Sequence, residues 1–380
     1  MKIFLLSASI VFCFLLSLLL HGQESTDYKW MDPVQNNNLI FQGQGWEHSD
    51  LASPYDRLPS KAENTVRKAV WNLSHHNAGI YLTFTTDAPE MKVRYQVTSN
   101  RYEMPHMPST GVSGLDLYVH SPGSKELLWC RGRYSFGDTI TYTYSALNTR
   151  LPHPGESYSY QLYLPLYNAV KWMEIGIPQS SKIIASESEK SKPIVVYGTS
   201  IAQGGCASRP AMAWSSIVQR NLDQPVINLA FSGNGRLEPE VIALINEIDA
   251  GLFILDCLPN LTNEETYPDK ELRKRIRHSV QSLRASHPGT PILLTAHAGY
   301  SDDQVSEGSY ERVKRANNIQ KSTYDAMKSE GLKNLYYLRK DEIDMCMDCT
   351  VDGTHQTDLG MEYYARAYLK KIHEILTDSP

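Results

Sequence analysis

The 380-residue chain has little excess charge of either sign. Its 37 lysines and arginines nearly balance 42 aspartates and glutamates, for a net charge of −5. That offers no broad attraction for nucleic acid or anionic lipid. Cysteine is scarce as well, six in all. Setting aside Cys13 in the N-terminal apolar run leaves Cys130, Cys206, Cys257, Cys346 and Cys349. An odd number leaves at least one thiol free or paired outside the chain, and so few do not make a disulfide scaffold. Cys346-Met347-Asp348-Cys349 has the spacing of half a zinc site, yet no second Cys or His pair at ligand spacing accompanies it. Internal repeats and low-complexity tracts are missing, and no segment after residue 20 is long and apolar enough to span a bilayer.

One long apolar run is present, at residues 3–20, preceded by Lys2 and followed by small and polar residues. This is the layout of a secretory signal, assigned to residues 1–24, which implies export to the periplasm or beyond; an uncleaved membrane anchor is the competing reading.

The remainder changes grammar midway. Residues 25–180 alternate like strands: "GIYLTFTTDAPEMKVRYQVTS", "GLDLYVHS", "TITYTYSAL" and "SYQLYLPLYNAVKWMEIGI" are rich in Tyr, Thr, Val and Ile and are separated by Pro, Gly, Asn and Asp. The pattern predicts a β-sandwich of jelly-roll-like form. Tyr158, Tyr160 and Tyr163 are either platforms for sugar rings or ordinary sheet filling. Residues 181–192, poor in aromatics and rich in Ser, Glu and Lys, read as a linker.

From 193 to 380, short apolar runs at 194–197, 226–229, 252–255, 292–295 and 335–338 alternate with helical periodicity. Leu272, Ile276, Val280 and Leu283 recur at helix spacing, as do Met361, Tyr364, Ala365, Tyr368, Leu369, Ile372 and Leu376. The expectation is an α/β fold, a flavodoxin-like doubly wound parallel sheet.

Ligands of such sheets bind at the carboxyl ends of the strands, where "PIVVYGTSIAQGG" (193–205) places a glycine-rich loop. The loop lacks the Gly-Lys-Ser/Thr of a P-loop and the second glycine of Gly-x-Ser-x-Gly. What remains is Ser200 just past a strand, a weak nucleophile without a base. Asp352 and His355 stand three residues apart after the last strand, so the carboxylate can orient an imidazole that serves Ser200. Gly233 follows the second strand and Asn260 the third, supplying a backbone and a side-chain N–H for an oxyanion. His297, after the fourth strand, is a substrate contact or a satisfied loop histidine, and Cys206 and Cys257 read as packed thiols.

In this order the residues resemble the SGNH hydrolases, the GDSL-type esterase and lipase superfamily, with Ser200 in "GTSIAQG", Gly233 in "FSGNG", Asn260 in "LPNL" and His355 in "DGTH". Gly114-Leu115-Asp116-Leu117-Tyr118 resembles the Gly-x-Asp-Leu-Tyr signature of a β-rich domain preceding the esterase domain in some bacterial members. There are departures. Thr199 stands where many members have Asp, Ile201 where they have Leu, no glycine precedes Asn260, and Gln356 replaces a frequent proline.

The resemblance implies a secreted serine esterase acting on small acyl esters, acetylated glycans foremost. Its catalytic residues would be Ser200, Asp352 and His355, and its oxyanion hole Ser200, Gly233 and Asn260, with no metal or cofactor required. Two alternatives stay open: a glycan-binding protein without turnover, and a thioesterase or peptide hydrolase using the same three residues. A disulfide, between Cys346 and Cys349 or another pair, would brace the histidine loop.

Overall fold

The computed structural model describes residues 27–120, 126–186, 191–222 and 224–378. The segment read as an export signal, 1–24, lies outside them.

The first half contains β1 (Tyr28–Met31), β2 (Ile40–Gln42), β3 (Tyr81–Thr86), β4 (Glu90–Val97), β5 (Asp116–His120), β6 (Leu127–Cys130), β7 (Arg133–Ser135), β8 (Ile140–Ser145), β9 (Tyr158–Tyr163), β10 (Val170–Pro178) and β11 (Ile183–Ile184). They form two antiparallel sheets, ordered β1-β10-β4-β8-β7 and β11-β3-β9-β5-β6, with β2 added on β3. Ile183 and Ile184, expected to belong to the linker, instead pair with Thr86 and Thr85. Both sheets contribute to one core: Met91, Val93, Ile140, Met173 and Ile175 from the first, Leu82, Phe84, Leu117, Tyr160 and Leu162 from the second.

The two sheets differ in how their outer faces end. Strand β4 alternates strictly between half-buried and buried residues, the mark of a sheet with one face toward water. Strand β9 is buried at five of its six positions. Its outer face is covered by the second half of the chain, where Tyr81, Tyr118 and Tyr163 cluster with Ala211. Tyr163 is 2% exposed beneath that cover, while Tyr158 and Tyr160, 7% and 1% exposed, point the other way into the core between the sheets. They fill the sheet and present no platform to a sugar.

The second half contains β12 (Ile194–Gly198), β13 (Val226–Ala230), β14 (Leu252–Asp256), β15 (Ile292–Thr295) and β16 (Leu335–Leu338). All four pairings are parallel, in the order β13-β12-β14-β15-β16. That is the doubly wound order 2-1-3-4-5, whose switch of winding direction lies beside the first strand. Helices cover both faces, which is why the strands read as continuous apolar runs rather than alternating ones. Val195, Tyr197, Leu229 and Phe253 pack toward the helix Asp269–Ser286, whose Leu272, Ile276, Val280 and Leu283 are fully buried. Ile194, Val196, Val226 and Ile254 pack on the other face with Trp214, Met361, Tyr364, Tyr368 and Ile372. In the last helix, Asp358–Asp378, the register departs from expectation near its end: Ile375 is buried and Leu376 is 46% exposed. No helix among the described residues is long and apolar enough to cross a membrane.

Candidate active site

Ser200 opens the short helix Ser200–Gln203 directly after β12. Being the first helical residue, its N–H has no intrahelical acceptor. The chain leaves this helix through Gly204, at φ +105, and Gly205. A β-carbon on Gly205 would stand 3.0 Å from the Ser200 carbonyl oxygen and 3.1 Å from both Cδ2 of His355 and the hydroxyl of Tyr167. Glycine at 205 thus lets three groups converge.

His355 and Asp352 arrive on the loop between β16 and the helix Asp358–Asp378. The loop is bound tightly. Cys346 and Cys349 form a disulfide, the Val351 N–H donates to the His355 carbonyl at 2.8 Å, and Thr350 bridges Gln356. Gly353, at φ +87, turns the chain between the two functional side chains. Asp352 Oδ1 accepts from the backbone N–H groups of Thr354 (3.0 Å) and His355 (2.8 Å), and Oδ2 lies 2.7 Å from His355 Nδ1. Partial burial works against the charged carboxylate, but the His355 N–H and ring and the Thr354 N–H outweigh it and hold its pKa at about 2. The other ring nitrogen, Nε2, lies 2.8 Å from Ser200 Oγ. With Nδ1–H directed at the ionised Asp352, Nε2 carries the lone pair and Ser200 donates to it. A hydroxyl is thereby aligned with a base whose partner is permanently anionic at neutral pH.

Gly233 and Asn260 come to the same sheet edge. The loop after β13 turns so that Asn234 and Gly235 both donate to the Phe231 carbonyl. Gly233 is exposed, at φ +67, with nothing within 4 Å of where a β-carbon would project. Its N–H has no acceptor among the described residues. Gly235 packs against the end of β12; a β-carbon there would stand 2.0 Å from the Gly198 oxygen. Asn260 closes the turn Leu258–Asn260 and accepts the Gly235 N–H on Oδ1 at 3.2 Å. That contact orients the amide and leaves its two N–H donors for another partner.

Two remaining candidates lie elsewhere. His297 is 1% exposed, accepts the Gly299 N–H on Nδ1, and packs edge-on against Tyr300. Burial, reinforced by the charge of Lys340, lowers its pKa to about 3, so it is a neutral core histidine and not a wall of the site. Cys257 is buried, with its thiol donating to the Tyr197 carbonyl.

Other residues at the site carry no motif. Gln203 is fully buried; its Oε1 accepts the Ser232 N–H at 2.9 Å and its Nε2 donates to the Leu166 carbonyl at 3.1 Å. Tyr167, from the β-rich half, donates to the Ser200 carbonyl at 3.1 Å. His106, also from that half, holds its ring 5.9 Å from that of His355. The only sequence signal for Gln203 is a polar residue within an otherwise apolar and small stretch; Tyr167 and His106 give none, because their neighbours belong to another part of the chain.

Residues 191–373 match the GDSL-like Lipase/Acylhydrolase family, and residues 28–183 match the family described as "N-terminus of Esterase_SGNH_hydro-type". Among solved structures, a protein from Bacteroides ovatus described as a GDSL-like lipase is 30% identical, with a TM-score of 0.82 over 92% of this chain and 98% of its own. The salicylyl-acyltransferase SsfX3 of a tetracycline biosynthetic pathway is 18% identical, with a TM-score of 0.71 over 93% of this chain and 98% of its own. An acetyl xylan esterase from Butyrivibrio proteoclasticus shares the fold at 9% identity, with a TM-score of 0.54 over 92% and 99% of the two chains. No protein of curated function matches in sequence.

Proposed function

Because the chain belongs to the GDSL-like lipase/acylhydrolase family of esterase-type hydrolases, we propose that it is a serine esterase that removes small acyl groups, acetyl foremost, from carbohydrate. The observation that carries this reading is the line of contacts Asp352–His355–Ser200, at 2.7 and 2.8 Å.

On this reading His355 Nε2 takes the Ser200 proton as Oγ attacks the ester carbonyl carbon. Asp352 keeps the imidazole in the tautomer that accepts at Nε2 and stabilises the cation that forms. The Ser200 and Gly233 N–H groups and the Asn260 amide receive the negative oxygen of the tetrahedral intermediate. The alcohol leaves with the proton from His355, and water, deprotonated by the same nitrogen, releases the acid from the acyl-enzyme.

The carbohydrate part rests on the fold shared with the acetyl xylan esterase and on the β-rich half, which we read as a jelly-roll-like sandwich. Tyr158, Tyr160 and Tyr163 are buried and so offer no stacking platform to a glycan-binding role without turnover. Export is part of the proposal. The Cys346–Cys349 disulfide, which an oxidising compartment would preserve, supports it alongside the apolar N-terminal run.

Ser200→Ala should lower p-nitrophenyl acetate hydrolysis on the order of 10⁴-fold or more and abolish labelling by a fluorophosphonate. Retained labelling would remove Ser200 as nucleophile. A panel of acetylated sugars, acyl thioesters and peptides tests the leaving group, and preference for thioesters or peptides would overturn the carbohydrate assignment.

A further inference from the structure

The imidazole of His355 has neighbours that ester hydrolysis does not use. Cys206 follows Gly205 on the loop leaving the Ser200 helix and is held at φ +69. That left-handed conformation is unfavourable for any residue bearing a β-carbon, so a third glycine would fit the backbone more easily. Its side chain is 5% exposed. From the β-rich half comes His106, exposed, with its ring tilted 33° to that of His355. One donor atom from each of His106, Cys206, Asp352 and His355 lies within 4.8 Å of all the others.

Two imidazoles, a thiol and a carboxylate are the donors that zinc selects, and a tetrahedron with ordinary zinc–ligand bonds separates them by about 3.3–3.6 Å. Closing the widest pair takes a movement on the order of 1 Å, which an exposed ring such as His106 supplies by side-chain rotation. We propose that His106, Cys206, Asp352 and His355 form an inhibitory site for a divalent zinc ion, assembled from both halves of the chain and overlapping the residues that would activate Ser200. On binding, the Cys206 thiol releases its proton to solvent; thiolate and carboxylate together then neutralise the dication.

Inhibition follows from the electron count of imidazole. Neutral His355 has a single ring lone pair. If zinc takes Nε2, the lone pair is no longer available to Ser200. If zinc takes Nδ1, the ring proton moves to Nε2, which then donates to Ser200 and accepts nothing. The base is silenced in both cases, and Asp352 is diverted from orienting it.

The inference concerns regulation of the site proposed above and rests on that reading for its consequence, but metal binding is read without turnover. The full chain, kept free of reductant so that Cys346–Cys349 stays closed, is titrated with cobalt(II) as a spectroscopic stand-in for zinc. The expected result is one retained metal per chain with a thiolate-to-cobalt charge-transfer band, present also in Ser200→Ala and Cys130→Ala. Cys206→Ala should lose the band, and His106→Ala should weaken binding on the order of tenfold or more. No retained metal, or a band that survives Cys206→Ala, overturns the site. Zinc should then inhibit p-nitrophenyl acetate hydrolysis by wild type, reversibly with EDTA, while Cys206→Ala remains active in zinc. Bound zinc with undiminished hydrolysis overturns the inhibitory role. A chain that binds cobalt through Cys206 but hydrolyses no ester would sink the esterase reading and leave the metal site standing.

Discussion

Arg209 and Asp116 face each other, Nη1 to Oδ2 at 2.8 Å, across the contact between the β-rich half and the parallel sheet. Asp116 is 3% exposed and also accepts from Trp129 Nε1 at 2.9 Å and from the Ala211 N–H at 3.1 Å. Arg209 donates as well to the Tyr118 hydroxyl at 2.7 Å. Both polar residues of the Gly114-Leu115-Asp116-Leu117-Tyr118 stretch therefore bind the loop that follows Ser200 and Cys206. The pentapeptide is a latch between the two halves.

Asp116→Ala should accordingly destabilise the whole chain, because it strands a mostly buried guanidinium and frees the Ala211 N–H. The expected loss is on the order of 3 kcal/mol, read as a lower urea midpoint. Asp116→Asn, which retains an acceptor for Trp129 or Ala211, should lose less. Equal losses for the two variants would mean that burial, not the contacts, sets the cost.

How much of this was legible beforehand depends on where each residue's partners lie. The five parallel strands read clearly because each is a short apolar run, four of them buried throughout and the edge strand β16 buried at both its ends. Ser200, Gly233, Asn260, Asp352 and His355 could be placed at one edge because each follows a strand end, a position that topology alone dictates. Tyr163 was ambiguous because alternation identifies the two faces of a sheet but not what covers them, and here the outer face is covered by residues some 50 positions later, such as Ala211. Arg57, Tyr167 and His106 were invisible for the same reason. Nothing in their own surroundings in sequence marks a guanidinium, a phenol or an imidazole that meets a loop of the other half.

Asp352 yields a prediction with a definite sign. Folding holds its carboxyl at about 2, below the ordinary aspartate value, so as pH falls the unfolded chain takes up the proton first. The stabilisation is complete above about pH 4 and drains away as pH falls toward 2. The gap in urea midpoint between wild type and Asp352→Asn should therefore narrow between pH 5 and pH 2.5. Under the proposed mechanism the same variant loses turnover by on the order of 10²- to 10⁴-fold at neutral pH. A gap independent of pH would show that Asp352 is not held ionised by the His355 loop.

Asn260→Ala separates oxyanion stabilisation from structure. Its Oδ1 contact to Gly235 is a single hydrogen bond on a half-buried side chain, so stability should fall by about 1 kcal/mol. If its amide receives the developing oxyanion, kcat should fall on the order of 10²-fold with KM little changed. A loss confined to KM would place Asn260 in substrate binding instead.

Arg57 connects the β-rich half to the strand end that leads into Gly233. The side chain is 1% exposed, and its guanidinium donates to four backbone carbonyls: Asn228 (3.1 Å), Ala230 (2.7 Å), Leu73 (2.6 Å) and His76 (2.7 Å). It also lies 5.0 Å from the ring centre of Phe231. Burial lowers its pKa to about 9, with Tyr167 and Asp56 acting against the shift, so the group stays charged at neutral pH. Arg57→Met fills much of the same volume yet leaves four carbonyls without this donor. At about 1–3 kcal/mol for each buried group that finds no replacement, and with partial relaxation, the loss should be on the order of 4 kcal/mol. Ala230 and Phe231 lead directly into Ser232 and Gly233, so the folded fraction of Arg57→Met should also show a lower kcat at nearly unchanged KM. Arg57→Lys restores the charge but only a point donor in place of the planar fork, and should fall between the two in both stability and kcat. If the Met variant unfolds at the wild-type urea midpoint, the carbonyls have found other partners and the brace is dispensable. If it is destabilised with kcat intact, Arg57 secures the junction between the halves without positioning the loop.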